Sequence, residues 1–401
     1  MENIVVIGAG QAGASCVAKL RTEGFAGQIT LIGDEPVLPY QRPPLSKAYL
    51  LGDLALERLL LRPESYYQGM GITLSLGRSV TGIDRVGHRI VLGEQSIAYD
   101  ALVLATGSVP RRLPAAIGGD LAGVHVVRGL ADVDGMAPDL RAGRRALIVG
   151  GGYIGLEAAA VATKRGMDVT LIEMAPRILQ RVAAPETSDY FRALHRAHGV
   201  DIREGVGLAR LVGKGHVSGA VLSDGTELAC DMVIVGIGIT PATALAAAAG
   251  LVIENGIATD EQGRTSDPAI WAAGDCASFP YQGGRIRLES VQNAIDQAEI
   301  VAQNILGAGI AYQPQPWFWS DQYDVKLQIA GLNTGYTRVV VRDAGAARSH
   351  WYYAGERLIA VDAMNDPRGY MVGKRLIADG KSPDPTQVAD LGLDLKTLLQ
   401  G

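Results

Sequence analysis

Two separate stretches of the chain have the pattern of an apolar strand followed by a glycine-rich turn and a helix. The first has apolar residues at 4–7, the turn GAGQAG at 8–13, a helical segment that ends near 23 and a second apolar run at 29–32. Continuous apolar strands are typical of a parallel sheet that is buried on both faces. The stretch therefore predicts a βαβ unit whose glycines form the turn, admit a pyrophosphate close to the backbone and let the helix pack on the strand.

The second stretch repeats this pattern later in the chain. Apolar residues 146–149 lead into the turn GGGYIG at 150–155, a helix from about 156 to 165 and an apolar strand at 169–172. The offset between the turns, 150 − 8 = 142 residues, indicates a duplicated unit and not a short repeat. A single glycine turn is weak evidence for nucleotide binding, but two that each follow a strand and open a helix are strong.

Further strands and turns predict how the chain is divided. An apolar run before Ala105-Thr106-Gly107 and another before Gly236 have the character of strands that complete the two sheets. We therefore predict an α/β protein with two Rossmann-like domains and a small C-terminal α+β domain. The predicted domains are residues 1–107 with 236–311, residues 108–235, and residues 312–401, where alternating segments predict an antiparallel sheet.

Acidic residues after the second strand of each unit suggest which dinucleotide binds where. Glu173 lies 173 − 150 = 23 residues beyond the second turn, close to the spacing of about 20 expected for a carboxylate that bonds ribose hydroxyls. A carboxylate there would repel the extra phosphate of NADPH, so we expect NADH in the second unit. FAD is then left for the first unit, where Asp34 or Glu35 would hold the adenosine ribose. The turn residues assigned to these two sites are Gly8, Gly10, Gly13, Gly150, Gly152, Ile154 and Gly155.

Charge and cysteine content restrict the remaining possibilities. The net charge of −5 and the absence of a basic stripe oppose nucleic-acid binding, and no apolar run reaches the ~18 residues of a membrane span. The start of the sequence lacks a signal-peptide pattern, so we expect a cytoplasmic protein. The three cysteines are scattered, and His195 and His198 lack a third ligand, so we expect neither structural disulfides nor a metal site.

The motifs together resemble those of a known family. The residues that carry the resemblance are 8–13, the sequence RPPLSK at 42–47, 105–107, 150–157, AGD at 273–275 and ESV at 289–291. They are similar to the ferredoxin reductases of bacterial cytochrome P450 and aromatic-ring dioxygenase systems, of the putidaredoxin reductase type. The resemblance spans essentially the whole chain. Residues 42–47 contain no cysteine, whereas disulfide reductases of similar architecture carry a redox-active cysteine pair in this stretch.

The resemblance implies specific roles for individual residues. FAD is expected to contact Asp34, Lys47, Val80, Arg128, Asp275 and Val291, and Arg42, Ala105, Thr106, Gly107, Gly236 and Trp319 join the cofactor-binding set. Asp275 follows a strand and a glycine, so its carboxylate and the N-terminus of the next helix can bond the ribityl chain and the pyrophosphate.

Three residues are expected to act in catalysis. Lys47 and Glu157 would form an ion pair beside the flavin N5 edge, where a positive charge stabilises the reduced ring. Trp319 would lie near the isoalloxazine and the iron–sulfur partner. From the residues alone, Lys47 could also be a solvated loop lysine, whereas Glu157 could equally be a residue favoured by the helix dipole and Trp319 part of a core aromatic cluster.

The function implied is electron transfer from NADH through FAD to a [2Fe-2S] ferredoxin that serves a cytochrome P450 or another oxygenase. Three scattered cysteines cannot hold an iron–sulfur cluster, so the acceptor would be a separate protein. The alternatives are an NADH oxidase or quinone reductase, and a redox-controlled interaction protein similar to apoptosis-inducing factor. A monomer and a homodimer are both left open.

Overall fold

The computed structural model describes residues 1–400 and has the expected α/β architecture. Its α-helices are α1 (Gln11–Thr22), α2 (Leu56–Leu59), α3 (Glu64–Gly69), α4 (Leu130–Met136), α5 (Tyr153–Lys164), α6 (Pro185–Ala197), α7 (Ala244–Ala248), α8 (Val291–Ile305), α9 (Pro367–Ala378) and α10 (Pro385–Ala389). Short 3-10 helices occupy Pro43–Ser46, Ala115–Ile117, Ala137–Asp139 and Leu395–Leu399. No helix of residues 1–400 combines the length and apolar character needed to cross a membrane.

The strands lie between these helices along the chain, often several in a row. They are β1 (Asn3–Ile7), β2 (Gln28–Ile32), β3 (Ile72–Ser75), β4 (Gly82–Asp84), β5 (Arg89–Leu92), β6 (Gln95–Ala98), β7 (Ala101–Leu104), β8 (Ser108–Pro110), β9 (Val124–His125), β10 (Arg145–Val149), β11 (Asp168–Glu173), β12 (Asp201–Glu204) and β13 (Leu208–Lys214). They continue with β14 (His216–Leu222), β15 (Glu227–Ala229), β16 (Met232–Val235), β17 (Ile239–Pro241), β18 (Ile257–Ala258), β19 (Ile270–Ala272), β20 (Ala277–Tyr281), β21 (Gly284–Ile286), β22 (Trp317–Gln322), β23 (Val325–Gly331), β24 (Arg338–Asp343), β25 (Arg348–Ala354) and β26 (Arg357–Met364).

The chain divides into two compact units. The first contains Met1–Arg42, Ala55–Val109 and Ile239–Pro316. Its main sheet is parallel, with the strand order β19-β7-β1-β2-β3, so that β1 lies between β7 and β2. Residues 4–7 of β1 are buried, as the continuous apolar run predicts for a strand covered on both faces. Helices α1 and α8 pack together in this unit, and α1 begins directly after the first glycine turn.

The second unit contains Pro43–Leu54, Pro110–Gly238 and Trp317–Gly401. One of its sheets is parallel and has the order β12-β11-β10-β16-β9, which repeats around β10 the arrangement seen around β1. The other large sheet is antiparallel, with the order β22-β23-β26-β25-β24, and α9 packs against β26 and β23. The antiparallel sheet predicted for the C-terminal part of the chain is therefore confirmed. The division into three domains at residues 107, 235 and 311 stays a prediction.

The first glycine turn gives a direct test of this packing. Gly8 has a φ of +111°, and a Cβ atom there would lie 2.0 Å from the carbonyl oxygen of Ala105. Gly8→Ala should destabilise the protein by about 3 kcal/mol or more, since it combines backbone strain with overpacking. The midpoint of urea unfolding would measure the loss.

The control for this variant is Gly69→Ala at the end of α3, because a Cβ atom there meets no other atom within 4 Å. Alanine in a helix is favoured over glycine by roughly 0.5–1 kcal/mol, so this variant should unfold at the same or a slightly higher urea concentration. Equal midpoints for the wild-type protein and Gly8→Ala would contradict the assigned turn geometry.

Candidate functional site

The first glycine turn, between β1 and α1, combines two crowded positions with one open position. A Cβ atom on Gly8 would clash with Ala105, and one on Gly13 would lie 1.9 Å from the carbonyl oxygen of Gly8. At Gly10, by contrast, an added Cβ atom meets nothing within 4 Å. Gly10 is also the residue that precedes the first turn of α1, where backbone N–H groups point along the helix axis without intrahelical acceptors. The turn thus leaves an open concavity at the positive end of a helix dipole, which fits a pyrophosphate.

The second turn, between β10 and α5, has the same geometry. A Cβ atom on Gly150 would lie 2.3 Å from the carbonyl oxygen of Gly236, and one on Gly155 would lie 2.0 Å from that of Gly150. Gly152, which precedes α5, is open in the same way as Gly10. Ile154 in the first turn of α5 is 43% exposed, although it is a large apolar residue. The second turn therefore also fits a dinucleotide phosphate.

Glu173 lies at the end of β11, as the sequence predicts, and it supports the turn. One of its carboxylate oxygens accepts a hydrogen bond of 2.7 Å from the Gly151 N–H, and the other accepts one of 2.7 Å from the Ala175 N–H. Each carboxylate oxygen can accept a second hydrogen bond. Glu173 can therefore hold the loop and still bind two ribose hydroxyls.

The corresponding acidic residues of the first unit differ in their environments. Glu35 accepts hydrogen bonds of 2.6 Å from both Arg42 and the Tyr40 hydroxyl, so its carboxylate is engaged within the protein. Asp34 is exposed next to the turn. From the sequence, Asp34 and Glu35 were alternatives for the ribose contact. Because Glu35 forms an ion pair with Arg42, Asp34 is the better candidate.

The segment that follows β7 connects other predicted residues of the first unit. Thr106 donates a 2.7 Å hydrogen bond to the Ala242 carbonyl, and Gly107 has a φ of +68°. Ser108 donates a 2.8 Å hydrogen bond to Asp275, which follows β19 and Gly274. The chain does not enter a helix directly after Asp275 but continues into β20, and the next helix is α8. Position 275 therefore provides a carboxylate near the β7 turn, whereas Val291, the first residue of α8, lies 16 residues further on (291 − 275).

Val80 and Arg128 lie outside the regular elements. Val80 is partly buried and packs against the apolar core of the first unit, and Arg128 is half-buried in the loop that follows β9. Neither residue was expected from strand or helix patterns, and both were taken from the resemblance alone. Their contact with FAD stays a prediction.

The expected ion pair between Lys47 and Glu157 is present in the second unit. Lys47 follows the 3-10 helix Pro43–Ser46, and its ammonium nitrogen lies 2.8 Å from the Glu157 carboxylate in the first turns of α5. The Glu157 side chain is 2% exposed and that of Lys47 is 19% exposed. Because such a buried carboxylate needs hydrogen-bond donors, the two serines that reach it are informative: Ser46 donates at 2.6 Å and Ser320 at 2.7 Å. Neither serine was singled out from the sequence.

Trp319 lies on β22 in a partly exposed group of aromatic side chains. Its ring centroid is 5.5 Å from that of Trp317 and 6.4 Å from that of Phe318, and Phe318 also contacts Tyr153 at the start of α5 with centroids 5.1 Å apart. Trp319 is not fully buried. The packing is thus compatible with both roles considered for it, a contact with the flavin and a place in an aromatic cluster.

His195 and His198, which were not expected to bind a metal, have other contacts. His195 is buried in α6, and its Nε2 atom lies 2.8 Å from the Gln322 side-chain oxygen. Burial lowers the pKa of His195 to about 4, with the Gln322 bond opposing the shift, so the ring is neutral at pH 7. His198 stacks on Tyr323 with ring centroids 3.7 Å apart. His195 is therefore a buried hydrogen-bonding residue, and no sequence pattern identifies Gln322 as its partner.

All three cysteines are free and buried. Burial raises the pKa of Cys16 to about 12 and that of Cys230 to about 11, and it also raises the pKa of Cys276. Reactive cysteines need an accessible thiolate. The three cysteines form no disulfide that could accept electrons, and their buried thiols are not reactive.

Comparisons with known proteins identify the family of the chain. The sequence matches the family described as pyridine nucleotide-disulphide oxidoreductase over residues 2–298, and the reductase C-terminal family over residues 317–399. Rhodocoxin reductase from Rhodococcus erythropolis is 43% identical over 98% of this chain and 93% of its own length. A ferredoxin–NAD(P)(+) reductase from a Sphingomonas species is 45% identical over 94% of this chain and 92% of its own length.

A solved structure extends the comparison to the fold. The crystal structure of the covalent putidaredoxin reductase–putidaredoxin complex matches with a TM-score of 0.96 and 41% identity, covering 100% of this chain and 98% of that one. The family resemblance inferred from the motifs is thereby confirmed. The chain belongs to the pyridine nucleotide-disulphide oxidoreductase family and is a ferredoxin reductase-type oxidoreductase that uses FAD and a nicotinamide dinucleotide.

Proposed function

We propose that this protein transfers electrons from NADH through FAD to a [2Fe-2S] ferredoxin that serves a cytochrome P450 or another oxygenase. The observation that carries the proposal is the pair of glycine turns with the same open concavity, at Gly10 and at Gly152, in a chain whose cysteines are all buried. Two dinucleotides can bind, and the three cysteines form no disulfide that could take the electrons onward. The names of the relatives, rhodocoxin reductase and ferredoxin–NAD(P)(+) reductase, support a separate redox protein as the acceptor.

The first turn is proposed to hold the FAD. The N-terminal amides of α1 would bind its pyrophosphate, Asp34 its adenosine ribose, and Asp275 a hydroxyl of its ribityl chain. Bound FAD would supply an acceptor that takes two electrons from a hydride donor and releases them one at a time. Val80, Arg128 and Val291 are proposed to contact the same cofactor on the basis of the family resemblance.

Lys47, Glu157 and Trp319 are proposed to act in the reaction. Glu157 holds the Lys47 ammonium at 2.8 Å, so that the position of this positive charge is fixed by protein groups. A fixed positive charge near a flavin stabilises its reduced form. Trp319 presents a partly exposed ring, which suits a contact with a partner protein.

The larger organisation of the protein is also a proposal. We assign residues 1–107 with 236–311 to FAD binding, residues 108–235 to NADH binding, and residues 312–401 to a C-terminal domain. The three free cysteines favour the reducing cytoplasm as the compartment. The monomer and the homodimer remain alternatives, and a cytochrome P450 is only one of the oxygenases that the ferredoxin could serve.

NADH-dependent reduction of cytochrome c tests the acceptor. Without a ferredoxin we expect slow reduction, and with added putidaredoxin or rhodocoxin the rate should rise at least tenfold, because the cluster can pass single electrons to cytochrome c. The same ferredoxin without its cluster is the control and should give no increase. If neither cluster-containing protein stimulates the reaction while a quinone or oxygen is reduced rapidly, the oxidase or quinone reductase alternative replaces this proposal.

The nicotinamide preference tests the role of Glu173. The ratio of kcat/KM for NADH to that for NADPH should be at least about tenfold in favour of NADH, because a carboxylate opposes the 2′-phosphate by several kcal/mol. Glu173→Gln should reduce this ratio, since it removes the charge and retains an amide oxygen that can accept a hydrogen bond. Glu227→Gln, which removes the charge of an exposed residue on β15, should leave the ratio unchanged. An NADPH advantage in the wild-type protein would refute the assignment.

A further inference from the structure

A continuous row of buried polar side chains extends from Glu157 to α6 in the second unit. Glu157 is bonded to Ser320 at 2.7 Å, Ser320 to the Gln322 amide nitrogen at 3.2 Å, and the Gln322 oxygen to His195 at 2.8 Å. The Tyr323 hydroxyl lies 3.3 Å from the other ring nitrogen of His195. Ser320, Gln322 and His195 are all fully buried. Helices α5 and α6 are thereby joined through β22 by side chains alone.

The chemistry of these groups gives the row a single direction. An ionised Glu157 can only accept, so the Ser320 hydroxyl donates its hydrogen to it. The Ser320 oxygen must then accept from Gln322, which places the amide nitrogen of Gln322 towards Ser320 and its oxygen towards His195. That oxygen needs a donor, so His195 carries its proton on Nε2, and its Nδ1 accepts from the Tyr323 hydroxyl. Every hydrogen bond therefore points towards Glu157.

Ser320 and Gln322 are polar residues at buried positions of β22. Alternate residues of a strand face the same side of the sheet, so Ser320 and Gln322 both lie on the buried side of β22. Apolar side chains at these two positions would pack there without needing polar partners. Burying a polar group is unfavourable unless it is hydrogen-bonded, and each member of the row bonds the next. The row ends at the Glu157 carboxylate, which also forms the ion pair with Lys47.

We propose that Ser320, Gln322 and His195 are positioning residues that fix the Glu157 carboxylate and, through it, the Lys47 ammonium. Ser46 and Lys47 approach Glu157 through one carboxylate oxygen, whereas Ser320 bonds the other. Without Ser320 the carboxylate keeps only its contacts with Ser46 and Lys47 and can rotate about them. The ammonium, which also donates a 3.2 Å hydrogen bond to the Pro43 carbonyl, is then held less firmly. The inference rests on the proposed function only where it assigns to Lys47 an effect on FAD. The hydrogen-bonded row itself is formed by protein groups alone.

The chemical reactivity of Lys47 tests the positioning without reference to turnover. In Ser320→Ala, acetylation of Lys47 by an amine-reactive reagent, measured by mass spectrometry, should be at least about threefold faster than in the wild-type protein. Lys19, which pairs with Glu23 in the first unit, is the internal reference and should react at an unchanged rate. Ser320→Thr retains the hydroxyl and should restore slow acetylation. Ser349→Ala removes another buried serine of the same sheet, and Lys47 should react in it as in the wild-type protein.

The imidazole of His195 gives a second readout. Nitrogen-15 spectra should show a neutral ring protonated on Nε2, assigned by the loss of its signal in His195→Gln. This signal should shift in Ser320→Ala, because the Gln322 amide loses its acceptor, and should remain in place in Ser349→Ala. If Ser320→Thr does not fold, Gln322→Leu replaces it: this variant breaks the row one link further away and should raise Lys47 acetylation less than Ser320→Ala.

Stopped-flow measurement of flavin reduction by NADH in the holoenzyme distinguishes the role proposed for Lys47 from the positioning role proposed for Ser320, Gln322 and His195. Lys47→Ala should slow flavin reduction about tenfold, and Ser320→Ala should slow it about threefold. In a Glu157→Ala background, Ser320→Ala should cause no further slowing. If Lys47→Ala reduces flavin at the wild-type rate, the role proposed for Lys47 fails, while acetylation and the His195 signal still test the row. If Ser320→Ala leaves both Lys47 acetylation and the His195 signal unchanged, the positioning inference is overturned.

Discussion

The close approach of backbone to backbone at the two glycine turns is the constraint on which the rest of the structure depends. Gly8 lies against the carbonyl of Ala105, and Gly150 against that of Gly236, so each turn is fixed to the strand next to its own. This contact fixes where the following helix begins and leaves its first N–H groups directed at open space. The duplicated βαβ unit thus creates, from backbone alone, two open concavities that fit phosphates, and the proposed function assigns FAD to the first and NADH to the second.

The buried Glu157 carboxylate imposes a second constraint, this time on side chains. Leaving a buried charge without a partner is strongly destabilising, by about 3–5 kcal/mol when one member of an ion pair is removed. Lys47, Ser46 and Ser320 together meet this requirement, and they come from two segments, residues 46–47 and residue 320, that are far from each other and from Glu157 in the sequence. Because Gln322 and His195 continue the network behind Ser320, the position of the Lys47 charge depends on residues well removed from it.

Much of the fold was predictable because local sequence patterns determine it. The apolar runs, the glycine spacing and the carboxylate at Glu173 identified both βαβ units, and the Lys47–Glu157 pair followed from the family resemblance. The hydrogen-bonded row was not predictable, since Ser320, Gln322 and His195 are ordinary polar residues whose pairing depends on tertiary contacts between α5, β22 and α6. The choice between Asp34 and Glu35 likewise depended on Arg42 and Tyr40, which engage Glu35 from outside the turn. The strand that follows Asp275 was hidden because a glycine and an aspartate are also common before a helix.

The central claim, that two turns of the same geometry serve different dinucleotides, is tested most directly by alanine at their open positions. A Cβ atom at Gly10 or Gly152 meets no protein atom within 4 Å, so both variants should fold normally. Gly10→Ala should lower the FAD content of the purified protein and leave the Kd for NADH of the remaining holoenzyme unchanged, whereas Gly152→Ala should retain FAD and raise the Kd for NADH at least tenfold. Loss of FAD from Gly152→Ala with full retention in Gly10→Ala, or no effect of either substitution, would contradict the account.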